Sequence, residues 1–253
     1  MENKKVSPAF KALKGFIKAV YPTFTVEGAE NLPDEPVVVV GNHAQLHGPL
    51  SCELYFPGLH YTWCVGEMLH VKEVPAYAYR DFWSAKPAYS RWFYKLLSYL
   101  IAPLSAFVFT NANTVSVYHD ARALTTFKRT VQLLEEGANV ILFPECPTPN
   151  NGIVHAFQDK FVDVAKLYYK KTGKELQFVP LYVCPALKKL CLGEPVPFRA
   201  DAPIGEERAR VCAELSERIT QLARRLPAHR VVPYLNVPKK QYPTNLPTEG
   251  EQA

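Results

Sequence analysis

A histidine that ends a buried strand is well placed to move a proton. Residues 36–43, PVVVVGNH, spell such a strand: four valines between Pro36 and Gly41, then Asn42 and His43. Residues 139–148, NVILFPECPT, repeat the arrangement, with Pro144 and Glu145 ending the apolar run ahead of Cys146, Pro147 and Thr148. Open α/β sheets bind ligands at the carboxyl ends of their strands, so His43 and Glu145 are candidate partners at one sheet edge. The chemistry would be general base catalysis. Imidazole titrates near working pH, and an acidic neighbour fixes its tautomer and steadies the imidazolium. The same residue types also suit a hydrogen-bonded structural histidine and a turn with a solvated carboxylate, and position alone leaves these readings open.

The elements that must position these residues read as alternating strands and helices. Strands are expected at 36–41, 61–65, near 106–109, at 139–143 and at 178–184. Helices are expected at 90–104, 115–136, 161–171 and 206–226. In the second of these Ala123, Leu124, Phe127, Val131 and Leu134 recur at three and four, and Gly137 ends it; Gly173 closes the third. The alternation predicts an α/β fold, a single domain with a largely parallel central sheet flanked by helices, plus an N-terminal amphipathic helix. The expected organisation is a basic amphipathic helix at 1–24, the α/β domain at 25–232 and a loose, Pro-rich polar tail at 233–253.

Composition narrows the function. In 253 residues, 48% are apolar, which excludes disorder as the main state. The net charge of +5 is concentrated at the start, where Lys4, Lys5, Lys11, Lys14 and Lys18 face Glu2 alone, so no general nucleic-acid surface is indicated. No Gly-rich phosphate loop of either common type occurs, which disfavours nucleotide binding. The cysteines Cys52, Cys64, Cys146, Cys184, Cys191 and Cys212 show neither C-x-x-C nor zinc spacing. They read as free thiols in a reducing compartment, and neither metal nor cofactor is expected.

Two stretches bear on membranes. At 7–24, Phe10, Leu13, Ile17 and Val20 share a helical face, with Lys11, Lys14 and Lys18 on the other side. Ser7 is placed to cap this helix, Pro8 suits its first turn and Pro22 ends it. Such a helix can lie in a bilayer interface or pack as an ordinary helix on the domain. The apolar run at 96–109 is short of the roughly 20 residues that span a bilayer and is broken by Pro103, so it reads as a buried or interfacial helix leading into a strand.

In order and spacing, these motifs resemble the glycerolipid acyltransferase family of the lysophosphatidic-acid acyltransferase (PlsC-like) type, over about residues 10–225. The family's N-H-x-x-x-x-D, often followed by Pro, aligns with Asn42-His43 through Gly48-Pro49. Its apolar strand ending in Arg aligns with Phe107 to Asn111, its F-P-E-G-T-R with Phe143 to Thr148, and its apolar V-P strand with Val179-Pro180-Leu181. Gly193-Glu194-Pro195 and the helix after it also match.

The resemblance implies transfer of a fatty acyl chain from an acyl-thioester (acyl-CoA or acyl carrier protein) to a lysophospholipid or related acceptor. The chain would act as a peripheral protein on the cytoplasmic face of the membrane. It implies His43 as general base, with Glu145 and His47 as further catalytic candidates and Asn42, Asn111, Pro144, Cys146 and Thr148 as substrate-binding candidates. The departures are specific. Gly48 stands where the family has the Asp that orients the histidine, so His47, Glu53 or Glu145 must take that role. Asn111 and Cys146-Pro147-Thr148 replace the residues that supply arginines to a phosphate. Lys160, Lys86 and Arg91 are the available cations, and an acceptor without a phosphomonoester is in play. Cys146 beside His43 is also a conceivable nucleophile. A non-catalytic lipid-binding relative is the alternative, and the absence of G-x-S-x-G disfavours an unrelated α/β hydrolase.

Overall fold

The computed structural model describes residues 7–84, 86–118 and 122–247. In chain order its strands are β1 (Thr25–Glu27), β2 (Val38–Gly41), β3 (His60–Val65), β4 (Thr114–Val117), β5 (Asn139–Leu142), β6 (Glu145–Asn150), β7 (His155–Phe157), β8 (Gln177–Cys184), β9 (Lys189–Leu192) and β10 (Val196–Pro197). The α-helices are α1 (Pro8–Val20), α2 (His47–Tyr55), α3 (Val74–Ala78), α4 (Arg91–Asn111), α5 (Ala123–Glu135), α6 (Asp163–Thr172) and α7 (Ile204–Arg224). This is the expected mixed α/β fold, with a mostly parallel central sheet flanked by helices. Contacts divide the chain into two compact units, residues 1–21 with 62–126, and residues 22–61 with 127–253.

The second unit holds the strands with catalytic candidates at their ends. Its sheet runs β1-β9-β8-β2-β5, with β10 beside β8. β1 pairs β9, β8 pairs β2 and β2 pairs β5 in parallel; β8–β9 and β8–β10 are antiparallel. Val38, Val39 and Val40 have no exposed surface, nor do Val140 and Ile141, as strands covered on both faces require. α7 packs Val211, Leu215, Ile219 and Ala223, a four-residue repeat with no exposed surface, on this core. Gly137 and Gly173 end α5 and α6 in the left-handed region, at φ 87° and 73°.

The first unit pairs the 62–65 portion of β3 with β4 in parallel. Here two element assignments are corrected. The strand near 106–109 does not form, because α4 continues through Phe107, Val108 and Phe109 to Asn111. The small residues Ser98, Ala102 and Ala106 share one buried face, and Ala102 packs with Val74 and Ala78 of α3. Asn111 Nδ2 and Thr114 Oγ1 then satisfy the carbonyls of Phe107 and Phe109 at the helix end, at 2.8 and 2.7 Å. The strand lies instead at β4, inside the stretch read as the start of the next helix. Its Thr-Val-Ser-Val sequence finds a parallel partner, and pairing overrides the helical pattern. α5 accordingly begins at Ala123, and residues 119–121 of the expected helix lie outside the described residues. Ser7 occupies the cap position of α1 without a side-chain cap hydrogen bond. Phe10 of α1 is buried, edge-on to Phe107 at 6.3 Å, whereas Phe16 and Val20 are both 66% exposed.

The tail is the third correction of substance. Residues 229–245 are anchored through buried His229, Val231 and Asn245, while residues 235, 236 and 238–241 between them are exposed. Val231 joins Ile153, Tyr182, Ile219 and Ala223 in one apolar cluster. Asn245, fully buried, accepts from the His229 N–H at 2.9 Å and donates to the carbonyls of Ala223 and Leu226 at 2.8 and 3.1 Å. His229 Nε2 meets the Tyr182 hydroxyl of β8 at 2.8 Å. A polar, Pro-rich composition hides these few anchors.

Candidate active site

The residues gathered around His43 lie in the second unit. β2 ends at Gly41 and the chain turns at Asn42. The Asn42 amide is buried and bonds both ways to one residue of β8: Nδ2 donates to the Val183 carbonyl at 3.1 Å, and Oδ1 accepts from the Val183 N–H at 2.7 Å. With one bond on each group, Asn42 fixes the start of the loop against β8.

His43 follows, half-buried, with its ring 5.4 Å from Phe143 and edge-on to Tyr234 at 5.9 Å. Its Nδ1 meets the Gln45 carbonyl. A carbonyl only accepts, so Nδ1 carries the proton and the neutral ring has its lone pair on Nε2. Among the described residues Nε2 has no hydrogen-bond partner. Burial lowers the His43 pKa below its ordinary 6.5, opposed by the Gln45 hydrogen bond. The unprotonated ring therefore prevails at neutral pH, which is the form a general base needs.

That carbonyl is aimed by an uncommon backbone. Ala44 and Gln45 both lie in the left-handed region, at φ 45° and 56°, at a cost of roughly 1–2 kcal/mol each for residues with a Cβ. The turn then closes into α2, with His47 N–H on the Ala44 carbonyl at 3.1 Å and Gly48 N–H on the His43 carbonyl at 3.0 Å. A Cβ at Gly48 would press into the His43 carbonyl oxygen and stand 3.0 Å from the Phe143 ring. The position where an orienting Asp was expected thus admits no side chain, and a main-chain oxygen serves the imidazole instead.

Glu145 sits beside His43 as expected but holds main chain, not the ring. It is buried, with Oε2 accepting from the His43 N–H at 2.5 Å and Oε1 from the His155 N–H at 2.8 Å. Burial pushes its pKa up to about 7, against the lowering effect of those two donors. Glu145 therefore ties the β2 loop to the β6–β7 hairpin.

The remaining candidates disperse. His47 opens α2, its pKa lowered by burial and then by the Lys239 charge. The Pro144 carbonyl accepts from the Gln158 N–H at 2.8 Å. Cys146 points its thiol across the hairpin to the carbonyls of Ala156 and Thr148, at 3.1 and 3.5 Å, and Thr148 is exposed. Asn111 belongs to the first unit, as the last residue of α4. So do Arg91, which opens α4, and Lys86, stacked over Tyr94 at 5.9 Å. Lys160 is exposed in the turn before α6.

Four residues of the site were not anticipated. Gln45 supplies the carbonyl. His155, buried, donates from Nδ1 to the Pro147 carbonyl at 2.9 Å and packs on the other contact of Tyr234, at 5.7 Å. Tyr234 and Tyr242 come from the C-terminal segment, with the Gln45 Nε2 donating to the Tyr242 hydroxyl at 3.1 Å. Two aromatics inside a Pro-rich tail were the available signal. A cavity of about 280 Å³ lies along this segment, lined by Asn150, Ile153, His155, Pro233, Leu235 and Val237 among others.

Neither a family model nor a curated protein sequence matches the chain. Among solved structures, it is similar in fold to the 1-acyl-sn-glycerophosphate (LPA) acyltransferase PlsC from Thermotoga maritima. The match has a TM-score of 0.50 and 20% identity, and covers 86% of this chain and 81% of that one.

Proposed function

We propose that this chain is a membrane-associated acyltransferase. It moves a fatty acyl group from an acyl-thioester, acyl-CoA or acyl carrier protein, to the hydroxyl of a lysophospholipid or related lipid. The observation that carries this reading is the geometry of His43, at the end of β2 with Nδ1 held by the Gln45 carbonyl and no partner on Nε2 among the described residues. The fold likeness to a protein that acts on this class of lipid supports it.

In the proposed reaction, His43 Nε2 removes the acceptor hydroxyl proton as that oxygen attacks the thioester carbonyl. The C–S bond breaks, an O–C ester bond forms, and the imidazolium returns its proton to the departing thiolate. The Gln45 carbonyl steadies the imidazolium as a dipole, where the resemblance calls for a carboxylate. Cys146 is not needed as a nucleophile, since its thiol is directed to hairpin carbonyls. The acceptor need not carry a phosphomonoester, because the motif positions that would bring arginines hold Asn111 and Cys146-Pro147-Thr148.

The membrane part of the proposal is supported by the first unit. The helical stretch Ala88–Asn111 is 24 residues, long and apolar enough by length and composition to cross a membrane. Its small residues face protein, while Trp92, Leu96, Tyr99, Leu100 and Leu104 are each more than half exposed. Aromatic and basic residues at its start, Trp92, Arg91 and Lys95, suit the headgroup level. We read this as a peripheral, interfacial helix on the cytoplasmic face.

The test is thioester transfer to lysolipid acceptors, with and without phosphate, by wild type and His43→Ala. Loss of roughly 10²–10⁴-fold in kcat is expected for the variant. Equal background rates for the two proteins would refute catalysis and leave a lipid-binding relative.

A further inference from the structure

We propose that residues 229–245 form a positioning strap for His43, in which Tyr242 holds the Gln45 side chain and so keeps the Gln45 carbonyl on the imidazole Nδ1. The inference rests on His43 acting as the base and names the residues that aim it.

The need for a strap follows from the turn. The Gln45 carbonyl reaches the ring only while Ala44 and Gln45 both keep positive φ. Neither is glycine, so each relaxes toward negative φ unless its surroundings hold it, and relaxation would swing the carbonyl off Nδ1. Gln45 offers one handle, its side chain, and the C-terminal segment grips it. Nε2 donates to the Tyr242 hydroxyl at 3.1 Å and to the Leu235 carbonyl at 3.3 Å, and the same hydroxyl stands 3.4 Å from Oε1. Tyr234 adds a ring contact of its own, edge-on to His43 at 5.9 Å and 73°.

The grip transmits because the strap is fixed at its base. Arg230 bridges Thr244, and the Val231 N–H donates to the Pro243 carbonyl at 2.9 Å, which closes the segment into a loop. Asn245 ties its end to α7, and His229 ties its start to Tyr182 of β8. The Gln45 side chain is thus held by a loop anchored to the same strand, β8, that Asn42 engages through Val183. Both flanks of His43 refer to one rigid element. Gln45, Tyr234 and Tyr242 are positioning residues; they act on the reaction through the imidazole.

The experiment compares wild type with Tyr242→Phe, Gln45→Ala and the double variant. It reads the tautomer of His43 by NMR of the imidazole nitrogens, and kcat and KM for thioester transfer. Gln45→Ala keeps the carbonyl and the left-handed strain and removes only the side-chain handle, while the anchors of the strap at His229 and Asn245 stay in place, so the fold is retained. Each single variant is expected to shift the His43 tautomer toward Nε2–H. Each is also expected to lower kcat roughly fivefold, or about 1 kcal/mol, with little change in KM. The double variant is expected to be no worse than either single one, because both remove the same clasp. An unmoved tautomer in both single variants, or losses that multiply in the double variant, would overturn the strap. The NMR reading needs no turnover, so the two claims separate. A shifted tautomer alongside a fully active His43→Ala would overturn the base and keep the strap; an inactive His43→Ala alongside an unmoved tautomer would do the reverse.

Discussion

Replacing Gly48 by aspartate would give the chain the His-x-x-x-x-Asp spacing it lacks, and the structure predicts that this lowers both stability and turnover. A Cβ at position 48 would run into the His43 carbonyl oxygen, stand 3.0 Å from Phe143 Cε1 and 3.1 Å from the His43 carbonyl carbon. The oxygen cannot retreat without giving up the Gly48 N–H, which it accepts at 3.0 Å. Losing that bond costs about 1 kcal/mol net, and overpacking of this kind adds about 1–3 kcal/mol. Gly48→Ala isolates those two contributions, for a total of about 2–4 kcal/mol out of an unfolding free energy on the order of 5–15 kcal/mol. In a chain of this size that lowers Tm by roughly 4–16 °C. Gly48→Asp adds the desolvation of a carboxylate at a buried position and should melt lower still. Calorimetry of the three proteins, with thioester transfer on each, checks the reasoning. An aspartate variant that melts with the wild type and turns over as fast or faster would show that position 48 has room and that the Gln45 carbonyl is not the imidazole's working partner.

Three further outcomes are expected. Burial lifts the Glu145 pKa from 4.5 to about 7, so between those values the folded chain holds a proton that the unfolded chain has released. Its contribution is therefore full below pH 4.5 and falls by about 3 kcal/mol as pH rises through 7. The stability of wild type relative to Glu145→Gln, from urea titrations, should decline across that window, and a flat difference would contradict the burial account. Asn42→Ala leaves the Val183 N–H and carbonyl without their partner, and should cost about 2–4 kcal/mol in the same titrations. Finally, Leu96→Glu with Leu100→Glu should weaken binding to anionic phospholipid vesicles at least about tenfold. These side chains are 52% and 67% exposed, so the melting temperature should hold; unchanged vesicle binding would refute the membrane-facing role of α4.

What could be read in the sequence, and what could not, divides along physical lines. β2, β5 and β8 were legible because runs such as Val37 to Val40 and Val140 to Leu142 are apolar beyond what an exposed strand tolerates. The helices at 163–172 and 204–224 were legible because their apolar spacing is regular and glycine closes the first. The 106–117 stretch was misread because Phe107-Val108-Phe109 has strand-forming side chains, while the small-residue face that keeps it helical becomes visible only against α3. That His43 and Glu145 lie side by side was legible from strand ends alone. Their relation was not, because it runs through main-chain groups: Gln45 offers a carbonyl and Glu145 receives amide protons. Any residue type has those groups, so no motif reports them. The contribution of Tyr234 and Tyr242 depends on a segment almost 200 residues away in the chain returning to the loop.

Asn42 has one more consequence. A carboxamide has the same donor and acceptor as a peptide unit, and by pairing both with Val183 it adds a rung to the β2–β8 ladder that the backbone itself no longer makes. The lattice of the sheet therefore reaches one residue past the strand, to the doorstep of His43. Little of the imidazole's placement is left to thermal wandering of a loop, and an encounter with substrate would find the ring already in position.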